Sequence, residues 1–400
     1  MTGPMDGIRV VELGFWVAGP GCGGILADWG ADVVKVEPLT GDPFRGIAAY
    51  FRLATGQDVN PPFELDNRGK RSISLDYSIE QGRAVLLELI DRADVFVTNL
   101  RVDALERAGL DHATLLARRP QLVYASVTGL GLAGDERNRA AYDVGAFWSR
   151  AGVAAALAPD GSPLPYQRGG MGDHMTGLAA AGGVAAALFV RERTGKGQLV
   201  STSLLRIGSY MLGWDASIAL RTGLPTVAMT RTTAPNPLIV DYGGADGRRF
   251  WLLGLEGDRH WPNLLRAIER PDLAEDPRFV DLFARVANAA ALVGVLDEAF
   301  AARPVAEWAE VFDREGVWWA PVQAIHELVD DPQAAAADCF VGSGGEDDRR
   351  VVATPVDFGA TCWSPGAEIP EMGEHTEEIL LELGYDWDAI TTLKDAGAVL

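Results

Sequence analysis

Asp173 stands in the stretch Gly169-Gly170-Met171-Gly172-Asp173-His174-Met175-Thr176-Gly177, a carboxylate flanked by glycines at the start of an apolar, small-residue segment. Glycine lets backbone approach a ligand closely, and a carboxylate beside apolar residues is partly desolvated, the setting of a carboxylate nucleophile. The plainer alternative is that Asp173 caps a helix running from about Thr176. His174 beside it is a candidate general base, or else a surface or packing histidine. A second group is Asn99-Leu100-Arg101, with Arg107 a little further on; arginine there suits phosphate, and an ordinary solvated arginine is the other reading. Phe15, Trp16, Phe147, Trp148 and Tyr166 are candidate walls of an apolar pocket, with core packing as the default. Gly129-Leu130-Gly131-Leu132-Ala133-Gly134 has the form of a dinucleotide fingerprint. The polar DERNRAAYD that follows does not make the buried helix such a turn opens, so the stretch reads as a glycine-rich loop.

These residues need a scaffold, and the first third of the chain supplies one. Short β-branched runs at 8–14, 31–37, 71–76, 93–99 and 121–129 alternate with helix-length segments and read as buried parallel strands. Between the third and fourth, Ser78-Ile79-Glu80-Gln81 predicts a capping box opening a helix whose Val85, Leu86, Leu89 and Ile90 share one face. Repeated strand and helix in this order predicts an α/β fold with an open, doubly wound, mostly parallel sheet. Its ligands lie beyond the carboxyl ends of the strands, which singles out the loops after residues 13, 37, 98 and 128. From 177 to 190 the chain is rich in Ala and Gly, suited to close helix packing, and RERTGKGQ (191–198) ends that helix. LIVDYGGADGRRFWLLG (238–254) reads as a hairpin opening a second, smaller α+β domain. The domain expectation is a large α/β domain over 1–220, a small domain over 221–329, and a return to the large domain over 330–400.

Composition removes several classes of function. The 400 residues carry 56 acidic against 35 basic side chains, a formal charge of −21 that repels nucleic acid and anionic lipid surfaces. An anionic ligand therefore needs a local basic groove. Three scattered cysteines form no disulfide framework and fit a reducing cytoplasm, and five histidines without ligand spacing give no metal site. The longest near-apolar run, 178–190, is short of the ~20 residues of a membrane span, so no membrane insertion is expected.

Taken in order, LADWGADVVKVE (26–37), GDPFRG (41–46), NRGKRSISLD (67–76), ADVFVTNLR (93–101), GDHMTG (172–177), RTGKGQLV (193–200) and GEHTEEILLELGY (373–385) resemble the class III CoA-transferases. That family includes formyl-CoA transferase, carnitine and bile-acid CoA-transferases and α-methylacyl-CoA racemase, and the likeness is collinear from about residue 6 to 386. The resemblance implies an interlocked homodimer that transfers CoA from an acyl-CoA to a free carboxylic acid, with both as substrates and no tightly bound cofactor. It implies Asp173 as the nucleophile, passing through an aspartyl anhydride and an enzyme-CoA thioester, with backbone N–H groups near Val17 and Ala18 stabilising the oxyanion. The matching CoA positions are Leu75, Asn99, Leu100, Arg101 and Arg107, with Arg45 and Arg139 as nearby basic candidates. Val17 replaces the glutamine of formyl-CoA transferase, which disfavours a formyl or oxalyl substrate. The racemase alternative needs an acid-base pair where this chain reads Ala141-Tyr142-Asp143, and a phenol titrating near pH ~10 is a poor base. His174 is another route to such a base, so the racemase stays an alternative, as does a non-catalytic acyl-CoA binder. The aromatics point to a large, apolar acyl group.

Overall fold

In this computed structural model, residues 3–344, 349–366 and 368–400 are described. The five β-branched runs form β1 (Arg9–Leu13), β2 (Asp32–Glu37), β3 (Arg71–Ser74), β4 (Val95–Thr98) and β5 (Val123–Thr128). With β6 (Leu199–Ser203) they make one parallel sheet in the order β3-β2-β1-β4-β5-β6. The sequence reading misses β6. Its Leu-Val-Ser-Thr-Ser lies half-buried at the sheet edge and lacks the continuous apolar run that marks the interior strands.

Alternation along each strand divides the side chains between two cores. Val11, Leu13, Val34, Val36, Phe96 and Tyr124 face one way, while Val10, Val33, Val95, Val97 and Val123 face the other. In chain order the helices over 18–222 are α1 (Ala18–Asp28), α2 (Ala48–Thr55), α3 (Pro61–Asn67), α4 (Glu80–Arg92), α5 (Val102–Ala108), α6 (His112–Arg118), a single turn α7 (Val153–Ala156), α8 (Met171–Thr194), α9 (Leu204–Met211) and α10 (Gly213–Thr222). On one face Val85, Leu86, Leu89 and Ile90 of α4 pack with Ile379, Leu380 and Leu383 from near the C-terminus. On the other, α1 and α8 lie together. A Cβ added at Gly177 would sit 2.9 Å from the Cys22 nitrogen and 3.1 Å from the Gly21 carbonyl carbon, so this crossing requires a residue without a side chain.

Three local expectations are corrected. Ser78 is not a cap: its hydroxyl donates to Asp76 at 2.6 Å, and α4 begins at Glu80 after Ile79, which offers no side-chain acceptor. The helix carrying Asp173 starts at Met171, five residues before Thr176, which puts Asp173 inside its first turn rather than at its cap. That helix is also longer than its apolar stretch suggested. Its 24 residues are long and apolar enough to cross a bilayer by length and composition, yet here it packs on α1, β5 and β6.

By contact the chain falls into two units, Met1–Ala154 with Pro165–Leu224 and Ala336–Leu400, and Ala155–Leu164 with Pro225–Ala335. The second holds an antiparallel sheet of β7 (Asp241–Gly243), β8 (Arg249–Leu252) and β9 (Trp319–Pro321), whose first two strands form the expected hairpin. Phe250, Phe300, Trp308 and Phe312 are its aromatic core.

Candidate active site

The strand order reverses between β1 and β4, and the loops leaving their carboxyl ends are tied together by one side chain. Asn99 Oδ1 accepts from the Phe15 N–H at 3.0 Å, and its Nδ2 donates to the Phe15 carbonyl at 2.7 Å. Both halves of the amide are thereby used in holding the β1–α1 loop. Trp16 follows at φ +65, a left-handed conformation that costs a bulky residue energy, and its N–H donates to Asp42 Oδ1 at 3.1 Å. Asp42 is anchored in turn by Lys35, which also reaches Glu12 and the Gly14 carbonyl. The loop is thus fixed from below by fully buried charges.

α1 then begins with no side-chain cap and no acidic residue in its first turn. Val17 and Ala18, at the N-terminus of this helix and so at the positive end of its dipole, line the cavity. By contrast, α8 is capped from a distance: Asp143 Oδ2 accepts from the Gly172 N–H at 3.0 Å. Asp143 precedes a π-helical segment, Val144–Arg150, that buries Phe147 and Trp148. A Cβ at Gly172 would lie 2.2 Å from Asp143 Oδ1 and 2.3 Å from Phe147 Cγ, so no side chain fits there. This packing sets the height of the next residue, Asp173.

Asp173 is half-buried and lines a cavity of about 290 Å³ with Val17, Ala18, Asn99, Leu100 and Arg101. Burial pushes its carboxyl up to about 7, and the neighbouring Asp143 adds to the rise. Arg101, Arg137 and Arg139 bring cationic heads to the same cavity, and Phe15, Trp16 and Tyr142 give it an aromatic side. Trp16 and Tyr142 meet edge to face with ring centroids 5.8 Å apart. Arg101 makes no ion pair among the described residues, whereas Arg137 pairs with Glu106 and Arg139 with Glu136.

Other sequence candidates lie elsewhere. Leu75 is a fully buried core side chain bridged to Val399, with no surface to offer a ligand. Arg45 spends its guanidinium on Glu37, at 2.8 and 2.7 Å, and on the Pro370 carbonyl. Arg107 is exposed and pairs with Asp103 at 3.0 Å. Neither arginine lines the cavity. Phe147 and Trp148 are core residues and Tyr166 is almost fully exposed, so only Phe15 and Trp16 of that aromatic group reach the pocket. Successive helical residues diverge by about 100°, and His174 accordingly lines a different cavity from Asp173. Asp143 acts through the backbone of α8 rather than by facing the cavity. Sequence reasoning misses Arg137, which stands two residues before the candidate Arg139 in the same polar segment.

Fold and cavity together define an α/β protein with a partly desolvated carboxylate, an uncapped helix N-terminus and arginines gathered at the sheet's switch point. The description CoA-transferase family III matches residues 5–376, and the chain belongs to that family. It is 32% identical over 397 residues to (R)-2-hydroxy-4-methylpentanoate CoA-transferase of Clostridioides difficile, covering 99% of each chain. It is 31% identical to cinnamoyl-CoA:phenyllactate CoA-transferase of Clostridium sporogenes, covering 98% of this chain and 96% of that one. The crystal structure of a CaiB/BaiF family protein from Brucella suis matches with a TM-score of 0.82 at 32% identity, over 96% of this chain and 100% of that chain.

Proposed function

We propose that this CoA-transferase moves CoA from an acyl-CoA to a free carboxylic acid with Asp173 as the nucleophile. The supporting observation is Asp173 beside the uncapped N-terminus of α1 in one cavity. The Asp173 carboxylate attacks the thioester carbonyl, the C–S bond breaks, and a mixed anhydride and CoA thiolate result. The thiolate attacks the aspartyl carbonyl, the donor acid leaves as its carboxylate, and CoA remains on Asp173 as a thioester. The acceptor carboxylate then displaces the thiolate to give a second anhydride. Thiolate attack on the acceptor's carbonyl releases the new acyl-CoA and restores Asp173. Each tetrahedral oxyanion needs donors, and the first N–H groups of α1 are the candidates for that role. Arg101, Arg137 and Arg139 give CoA's phosphates a local basic surface on an acidic protein.

Incubation with acyl-CoA, followed by hydroxylamine and mass analysis, is expected to leave a hydroxamate on the peptide containing Asp173; an unmodified peptide rejects the assignment. The nucleophile must be ionised, so kcat/KM for exchange is expected to rise with pH through about 7, well above an ordinary carboxylate. A profile flat from about pH 5 to 8 contradicts this.

The substrate class we propose is an acyl group with a ring or branched chain, supported by the Phe15, Trp16 and Tyr142 side of the cavity. Relatives named for 4-methylpentanoate and cinnamoyl groups fit the same pattern. In a panel of acyl-CoAs crossed with free acids, ring-bearing or branched substrates are expected to exceed acetyl-CoA by about tenfold or more in kcat/KM. Equal turnover would remove the aromatic wall from the account of specificity.

A further inference from the structure

His174 follows the nucleophile on the same turn of α8 but lines a second cavity, of about 270 Å³, between α1 and α3. There its Nε2 lies at ion-pair distance, 3.3 Å, from Oδ1 of Asp66, a buried α3 carboxylate, and neither that Nε2 nor Asp66 Oδ2 has a hydrogen-bond partner among the described residues. The charges around this pair come from every element packed on it. Asp173 shares α8, Asp143 stands at the head of that helix, and Lys70 and Glu12 lie behind Asp66. Asp28 and Arg68, across the cavity, close on each other through two hydrogen bonds of 3.0 and 2.6 Å. Of the groups acting on Asp173, Asp143 and Asp66 are anions, and His174 supplies the positive charge.

We propose that His174, anchored by Asp66, is a positioning residue for Asp173: it keeps a positive charge on the turn that carries the nucleophile and so holds that nucleophile as the carboxylate. This rests on Asp173 being the nucleophile. Burial alone disfavours the imidazolium, but Asp66, Asp173 and Asp143 outweigh it and raise His174 above its usual range. The anions that oppose ionisation of Asp173 thus favour the cation at His174. Asp66 holds the histidine about 100° round the helix from Asp173, where its charge acts through space without placing imidazole against the substrate.

The test compares wild type, His174→Gln and His174→Lys by kcat/KM for CoA exchange from about pH 5.5 to about 9.5, with hydroxamate trapping at Asp173 in parallel. In His174→Gln the acidic limb is expected to move up by about one pH unit, giving about tenfold slower exchange at the acidic end and a near wild-type rate at the alkaline end. His174→Lys, which restores a cation, is expected to keep the wild-type limb. A uniform loss at every pH, an unmoved limb in His174→Gln, or equal displacement in both variants overturns the proposal. Absence of the wild-type hydroxamate overturns the nucleophile assignment as well; its presence with an unmoved limb overturns the role of His174 alone.

Discussion

Asp173→Asn is expected to slow CoA exchange between acids by roughly 10⁴-fold or more, because removing a covalent nucleophile leaves only binding and oxyanion stabilisation. The amide keeps the size of the side chain, so the cavity and the α1–α8 crossing should persist. The same substitution is expected to stabilise the fold at alkaline pH. In the native state the Asp173 carboxyl stands at about 7 against its ordinary value of 3.8, so its ionisation opposes folding. That cost is absent below the ordinary value, grows as pH rises towards about 7, and is complete above it. At about 1.4 kcal/mol per pKa unit, discounted because the group is half exposed to solvent, Asn should gain roughly 1–3 kcal/mol at about pH 8 and little at about pH 4. Exchange of a labelled acid into acyl-CoA measures the first effect, and urea midpoints at the two pH values measure the second. Exchange at the wild-type rate would remove Asp173 from the chemistry. A variant less stable than wild type at pH 8 would show that the carboxylate is held by favourable contacts rather than desolvated.

What the sequence makes legible here follows from the range of the forces involved. The interior strands are readable because a parallel strand covered on both faces is largely apolar at successive positions, as in Val95, Phe96 and Val97. The loops at the sheet's carboxyl ends are readable from strand order alone. The edge strands are under less demand: β3 still reads as a strand, whereas the half-buried Leu-Val-Ser-Thr-Ser of β6 does not. The start of α8 is not legible either, because its cap comes from Asp143, 29 residues upstream of Gly172, and no local pattern encodes a partner that only the fold delivers. The same holds for Asn99, which reads as a ligand contact but whose amide is spent on Phe15, and for Arg45, whose partner Glu37 lies on β2. Spacing brings side chains to a region. Their hydrogen-bond partners decide which remain available to a ligand.

Glu12→Gln carries the largest expected structural cost, because Glu12 binds two ammonium groups at the base of the site. Its Oε1 accepts from Lys35 at 3.2 Å and its Oε2 from Lys70 at 2.7 Å, and all three side chains are fully buried. With Asp42, which takes Lys35 at 2.9 Å, the cluster holds two positive and two negative charges and is neutral. Burial already pulls Lys70 below its usual range, with Glu12 opposing that pull. An amide in place of the carboxylate leaves an unbalanced charge in a medium that solvates it poorly, at a cost of about 3–5 kcal/mol. The damage should spread to the cavity. Lys35 also holds the Gly14 carbonyl and Asp42, which fixes Trp16, while Lys70 donates to the Pro20 carbonyl of α1 at 2.9 Å. Surviving protein should therefore show a raised KM together with the lowered urea midpoint. Lys35 keeps Asp42, so Lys70 is the cation left without a carboxylate partner in this cluster; adding Lys70→Met to Glu12→Gln removes it, and the double variant should recover part of the loss, a coupling of about 1–3 kcal/mol in the double-mutant cycle. Additive losses, or a single-variant cost below about 1 kcal/mol, would mean that the cluster is wetter than its burial indicates and that the β1–α1 loop is held chiefly by Asn99.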